Sequence, residues 1–147
     1  MIRTRKSALD DRSIYRLIEA ELLPFTRQNF PDTHITRDQI RKRLNHGRTR
    51  VAATGMSSPA YGFILFFIKK ENLFIDLLAI SRARQGQGLG PKLMFQAEDY
   101  GRRNGCTVAM LFVDRTNSRA QTFYTRLGYR VERFDPTIQS YLLSKPL

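Results

Sequence analysis

The chain has one cysteine, two histidines and no tryptophan in 147 residues. A lone Cys106 excludes a disulfide framework and a cysteine-ligated zinc site. Its place at the head of an apolar segment marks it as a small buried residue. His34 and His46 are too few and too far apart for a histidine metal centre, so no metal is expected. The longest apolar runs, 63–68 and 77–80, fall far short of the ~20 residues that cross a bilayer. Residues 1–6 lead into polar sequence and not into the apolar stretch of a secretory leader. These absences point to a reducing, cytoplasmic setting without a membrane partner.

Carboxylates are scarce as well. Twenty-five Lys and Arg stand against 13 Asp and Glu, a net charge of +12, and 19 of the basic residues are Arg. Residues 1–50 carry twelve basic and six acidic side chains, and residues 51–147 carry thirteen and seven. The excess is therefore no tail. It favours anionic partners, whether nucleic acid, a phosphorylated cofactor or an acidic substrate, and it repels polycations. The apolar content is sufficient for a core: 41% of residues are hydrophobic, with ten Phe and six Tyr. The length suits one domain over residues 1–147.

Hydrophobic spacing divides the chain into alternating elements. Residues 2–7 alternate weakly, as a short strand does. Asp10 or Asp11 is placed to cap a helix to about Leu23, which Pro24 closes, and 25–33 reads as loop. Thr36 is the expected N-cap of a second helix, with Ile40 and Leu44 inward and Arg37, Arg41, Lys42 and Arg43 outward; His46 sits at its end. Strands are expected over 50–56, 61–68 and 73–80, the last two apolar throughout and so central in a sheet covered on both faces. A helix from Gly88 to about Asn104, a strand over 107–113, a helix over 118–127 and a hairpin of 129–134 with 138–143 complete a mixed α/β sheet.

Between the 73–80 strand and the next helix lies Gln85-Gly86-Gln87-Gly88-Leu89-Gly90. Unpaired N–H groups at a helix start carry partial positive charge, and glycines let a large anion lie on that backbone. A Walker loop would need Lys-Ser/Thr after the last glycine, but Pro91-Lys92-Leu93 follows Gly90. A dinucleotide fingerprint would need glycine where Pro91 stands. The pattern Gln-x-x-Gly-x-Gly instead resembles the acyl-coenzyme A pyrophosphate loop of the GNAT superfamily of N-acetyltransferases. Asn117-Ser118-Arg119-Ala120-Gln121-Thr122-Phe123-Tyr124-Thr125-Arg126-Leu127-Gly128-Tyr129 resembles that family's second signature, at the expected distance of one helix and one strand. The likeness covers about residues 73–134. Pro91 departs from it, since proline in the first turn of the helix removes one amide that a phosphate would otherwise meet.

The resemblance implies a mostly antiparallel central sheet flanked by helices, and acetyl transfer from acetyl-coenzyme A to a primary amine of a small molecule, peptide or protein. It implies that the backbone of Gln85, Gly86, Gln87, Gly88, Leu89 and Gly90 holds the pyrophosphate. The pantetheine arm would run along Leu78, Ala79 and Ile80, in a gap beside strand 107–113, with Asn117 on the same arm. Arg126 is the favoured phosphate contact, ahead of Arg82, Arg84 and Lys92. Tyr124 is the expected general acid for the leaving thiolate, although it also completes the apolar stripe Ala120, Phe123, Leu127. Asp76 is the one charge inside the run 73–80, expected on a face with Phe74, Leu78 and Ile80; it is either a general base or a carboxylate paired with an arginine. Two other functions stay open at this level: association with RNA or the ribosome, for which charge is the motive but no motif exists, and binding of acetyl-coenzyme A without turnover. A monomer or a homodimer is expected.

Overall fold

The computed structural model describes all 147 residues. Their order is β1 (Ile2–Thr4), α1 (Ser7–Leu17), a π-helical turn Ile18–Leu22, α2 (Leu23–Asn29), α3 (Arg37–His46), β2 (Arg48–Ala52), β3 (Gly62–Lys69) and β4 (Asn72–Ile80). A 3-10 turn, Arg82–Arg84, precedes α4 (Leu89–Arg103), β5 (Val108–Asp114), α5 (Ser118–Arg126), β6 (Arg130–Asp135) and β7 (Ser140–Pro146). The seven strands form one sheet in the order β1-β2-β3-β4-β5-β7-β6. Every neighbouring pair is antiparallel except β4 and β5. A parallel pair needs a long crossover, and α4 supplies it.

Apart from Asp76 and the polar ends Lys69 and Asn72, β3 and β4 are apolar because helices cover both faces of the sheet centre. Ile64 and Phe66 pack with Leu93, Met94 and Ala97 of α4. Phe63 and Leu65 face the other way, onto Ile14 and Leu17 of α1 and Ile40 and Leu44 of α3. The second helix begins as its sequence requires: the Thr36 hydroxyl accepts the Gln39 N–H, and the Gln39 side chain accepts the Thr36 N–H.

The N-terminal third departs from the sequence expectation in three ways. Helical structure does not stop at Pro24. It passes through the π turn and continues to Asn29, with Pro24 in the first turn of α2, where its missing N–H costs nothing. β2 covers 48–52 and not 50–56, because it starts directly after Gly47 and its partner β3 begins only at Gly62, opposite Ala52. Asp10 and Asp11 do not cap α1, which starts at Ser7.

Both aspartates are instead taken by arginines of the first strand segment. Asp10 is fully buried and receives a fork from Arg3 at 2.8 and 2.9 Å, together with the N–H groups of Lys6 and Ala60. Arg3 gives further N–H bonds to the carbonyls of Thr4, Gly55 and Ser58. Arg5 forks onto Asp11 at 2.6 and 2.7 Å. Edge strand, first helix and the 55–60 loop are thereby tied at one buried point. Burial opposes charge on Asp10, but the Arg3 fork and the two amide donors outweigh it and hold the carboxyl below its ordinary range.

Asp10→Ala leaves the Arg3 guanidinium buried without its partner and is expected to lower unfolding free energy by about 3–5 kcal/mol in urea titrations. Because the native pKa of Asp10 is depressed, its stabilisation is complete above the ordinary aspartate value of about 3.9 and is lost as pH falls through the native value. The Asp10→Asn variant is therefore expected to show a flatter loss of stability in acid than the parent chain.

Candidate active site

The site is set by where β4 leaves β5. The two strands pair from Asn72↔Val108 to Ile75↔Leu111 and no further. β5 continues along β7 as far as Asp114↔Ser140. Residues Asp76 to Ile80 therefore run on with β3 alone, and their β5-facing edge lacks a strand partner. The expected gap is present, and Leu78, Ala79 and Ile80 border it.

A β-bulge coincides with the divergence. Leu65 pairs with Leu77, but Phe66 pairs with Ile75, so Asp76 is the extra residue. A bulge shifts the alternation of side chains. Leu73 and Ile75 lie in the α4-side core, Leu77 and Ala79 in the α1/α3-side core, and Leu78 and Ile80 pack on the α4 side again. The expectation that Asp76 shares a face with Leu78 and Ile80 is corrected by this shift. Asp76 points to the α3 side, where Arg43 forks onto both of its oxygens. Arg43 accordingly turns inward, whereas its neighbours Arg41 and Lys42 stay exposed on Asp38.

The glycine loop closes the wide end of the gap. None of the N–H groups from Gly86 to Gly90 is hydrogen-bonded within the chain. Gly86 and Gly88 hold φ of 80° and 77° with open space where a Cβ would stand, so backbone conformation demands glycine there. Gly90 is required for a different reason: a Cβ would sit 3.0 Å from the Phe123 ring, so the glycine lets α4 approach α5. The Gln85 side chain faces backward, donating to the Ile80 carbonyl at 2.9 Å and to Glu21 of the π turn at 3.3 Å. It locks the loop to the end of β4.

Beside the loop lies a groove of about 570 Å³ lined by Gly86, Pro91, Arg119, Thr122, Phe123 and Arg126, among others. Arg126 is thus brought to the unpaired amides. Arg119 joins it, a residue that the sequence reading passed over. The signal was available, because 119, 122 and 126 are spaced i, i+3, i+7 and share one helix face. Arg84 does not join them: its guanidinium stacks on Tyr61 at 4.4 Å. The Asn117 Oδ1 accepts the Ala120 N–H as the N-cap of α5, while its amide NH2 has no partner within the protein.

Tyr124 is buried in the α4-side core, edge-on to Phe123 and Tyr129. Tyr129 gives its hydroxyl to the buried carboxylate of Glu98 at 2.6 Å, and Lys145 also reaches Glu98. The Tyr124 hydroxyl makes no hydrogen bond within the protein, yet it is not sealed from solvent as an orphaned atom. Burial pushes its pKa well above the ordinary phenol value, so it holds its proton at any working pH. Tyr124 shares the α4 side with Leu78 and Ile80, and Asp76 lies on the α3 side. The opening between β4 and β5 is where those two faces meet. His46 remains a helix-end residue, its ring tilted against Phe67, and Cys106 is a buried member of the core.

The acetyltransferase (GNAT) family model matches residues 14–129. The chain belongs to the GNAT acetyltransferase family. Blasticidin-S acetyltransferase of Streptomyces morookaense is 32% identical over 100 residues, 65% of this chain and 72% of that protein. Acetyltransferase Atu2258 of Agrobacterium fabrum is 39% identical over 57 residues, 39% of this chain and 40% of that protein. Among solved structures, the PaiA N-acetyltransferase of Thermoplasma acidophilum in complex with coenzyme A superposes with a TM-score of 0.74 at 20% identity, over 100% of this chain and 99% of that one. This last likeness is one of fold. The mixed, mostly antiparallel sheet expected from the sequence is therefore that of the GNAT proteins.

The two glycine mechanisms are separable. Gly88→Ala forces a left-handed residue with a side chain and is expected to cost about 1–2 kcal/mol of stability. Gly90→Ala keeps an ordinary backbone but pushes the Phe123 ring. It is expected to weaken coenzyme A binding, read by titration calorimetry, by more than its effect on the urea midpoint explains.

Proposed function

We propose that this GNAT protein transfers an acetyl group from acetyl-coenzyme A to a primary amine of a small molecule, peptide or protein. The observation that carries the proposal is the run of five unpaired N–H groups, Gly86 to Gly90, at the mouth of the β4–β5 gap, with the unbonded Tyr124 hydroxyl on one side of that gap. The fit to coenzyme A rests on the same features: unsatisfied amides suit a pyrophosphate, Arg119 and Arg126 suit further phosphate oxygens, and an unpaired strand edge suits an amide-bearing arm. When bound, acetyl-coenzyme A supplies an activated thioester.

The chain's own residues divide the remaining work. The loop amides and the two arginines anchor the cofactor. Leu78 to Ile80 and the Asn117 amide NH2 align the arm along the gap. Tyr124 gives its proton to the sulfur as the carbon–sulfur bond breaks and the carbon–nitrogen bond forms. Its own burial keeps it protonated until then, and the same dry surroundings raise the basicity of the sulfur. Asp76 is assigned to the acceptor side, where it receives the proton that the amine loses, directly or through water. Arg43 orients its carboxylate. The relatives' names agree with acetyl transfer, and the net charge of +12 directs the choice away from polycationic acceptors and toward those carrying phosphate or carboxylate.

A panel of amine acceptors with acetyl-coenzyme A, read by free thiol release, tests the activity. Tyr124→Phe is expected to lower kcat by about 10²–10⁴ with coenzyme A affinity retained. Unchanged thiol release in that variant rejects Tyr124 as the acid. Asp76→Asn is expected to lower kcat/KM with coenzyme A affinity retained; an unchanged kcat/KM moves the base elsewhere.

A further inference from the structure

A second cluster of arginines stands apart from the cofactor site. Where α3 ends and β2 begins, the surface holds a depression of about 300 Å³ lined by Arg5, Arg48, Thr49, Arg50, Thr4 and Asn45 over the rings of Phe66 and Tyr100. No carboxylate lines it. Arg5 is neutralised by Asp11, but Arg48 and Arg50 have no acidic partner anywhere in the protein. They alternate along β2 and so project from one face, roughly 6.5–7 Å apart along the strand. The Arg48 guanidinium lies 4.7 Å over the Tyr100 ring, and Arg50 gives one N–H to the Thr4 hydroxyl at 3.1 Å. Each keeps several donors free.

We propose that this depression is a binding site for a small phosphate-bearing molecule, held by the guanidinium groups of Arg48 and Arg50. Two fixed positive charges with forked donors match a phosphomonoester dianion in charge and geometry. The volume is at the lower end of small-molecule sites. The exposed ring face that a nucleic-acid base would stack on is already covered by Arg48, which disfavours RNA. The site is also remote from the glycine loop: Tyr100 lies about 18 Å down α4 from Gly88 at the helical rise, and β2 is two strands removed from β4 on the side away from β5.

The test is titration calorimetry of the full chain, saturated with coenzyme A, in chloride buffer of constant ionic strength. Inorganic phosphate and AMP are the two probes, which separate recognition of the phosphate alone from recognition of an attached group. Both probes are expected to bind with coenzyme A in place. The double variant Arg48→Gln, Arg50→Gln is expected to weaken both by about tenfold or more. Arg130→Gln, which removes the same kind of charge from the opposite edge strand, is expected to change neither more than about twofold. The proposal is overturned if neither probe binds saturably, if coenzyme A displaces them, if Arg130→Gln costs as much as the double variant, or if single-stranded RNA and not AMP depends on Arg48 and Arg50.

Discussion

Asp76 has no counterpart on β3, and the rest of the site follows from that one extra residue. At the bulge, β4 changes which of its side chains face which helix layer, and at the same point it parts from β5. Without the shift, the strand would present an uninterrupted alternation and could stay paired to its end. With it, a carboxylate turns toward α3, Leu78 and Ile80 turn toward α4 and α5, and a strand edge is left open between them. Parallel strands joined by a helix already bring a glycine loop to the end of the first strand. The opened edge gives that loop a channel to feed.

The positive charge is divided among distinct tasks. Arg3 and Arg5 are structural, each forked onto an aspartate of α1. Arg43 serves Asp76, and Arg84 covers Tyr61. Arg119 and Arg126 flank the unpaired loop amides. Arginine suits all of these, because a planar fork can meet a carboxylate, a ring face or a phosphate with equal geometric precision. A lysine-rich chain of the same net charge would lack the stacked and forked contacts. Charge alone therefore says less about a nucleic-acid partner than the count of basic residues suggests.

Most of the fold was legible because β3, β4, α4 and α5 carry strong and consistent signals: continuous apolar strands, glycines that bracket helices, and a heptad-like stripe in 118–127. The candidate site is read from two spaced signatures. What sequence missed has physical reasons. Proline usually ends a helix, but at Pro24 a π turn resets the hydrogen-bond ladder so that it falls in a first turn. Asp10 and Asp11 have the chemistry of caps, and only the fold shows that Arg3 and Arg5 claim them. The face of Asp76 is not legible locally, because a bulge depends on the partner strand and no pattern in 73–80 announces it. Nothing local in the second signature singles out Arg119; only the helix face and groove that it shares with Thr122 and Arg126 do so.

Polar groups left unpaired within the chain mark the places open to a ligand. Five consecutive amides are free at the exposed glycine loop, one solvent-accessible phenol is unbonded on α5, and the Asn117 amide NH2 is free nearby. The proposed reading assigns all three to one extended ligand with phosphate, amide and thioester groups. Arg48 and Arg50 lie outside that reach, on the α4 side of β2 and without a carboxylate, so an anion held there would be a second ligand and not part of the first.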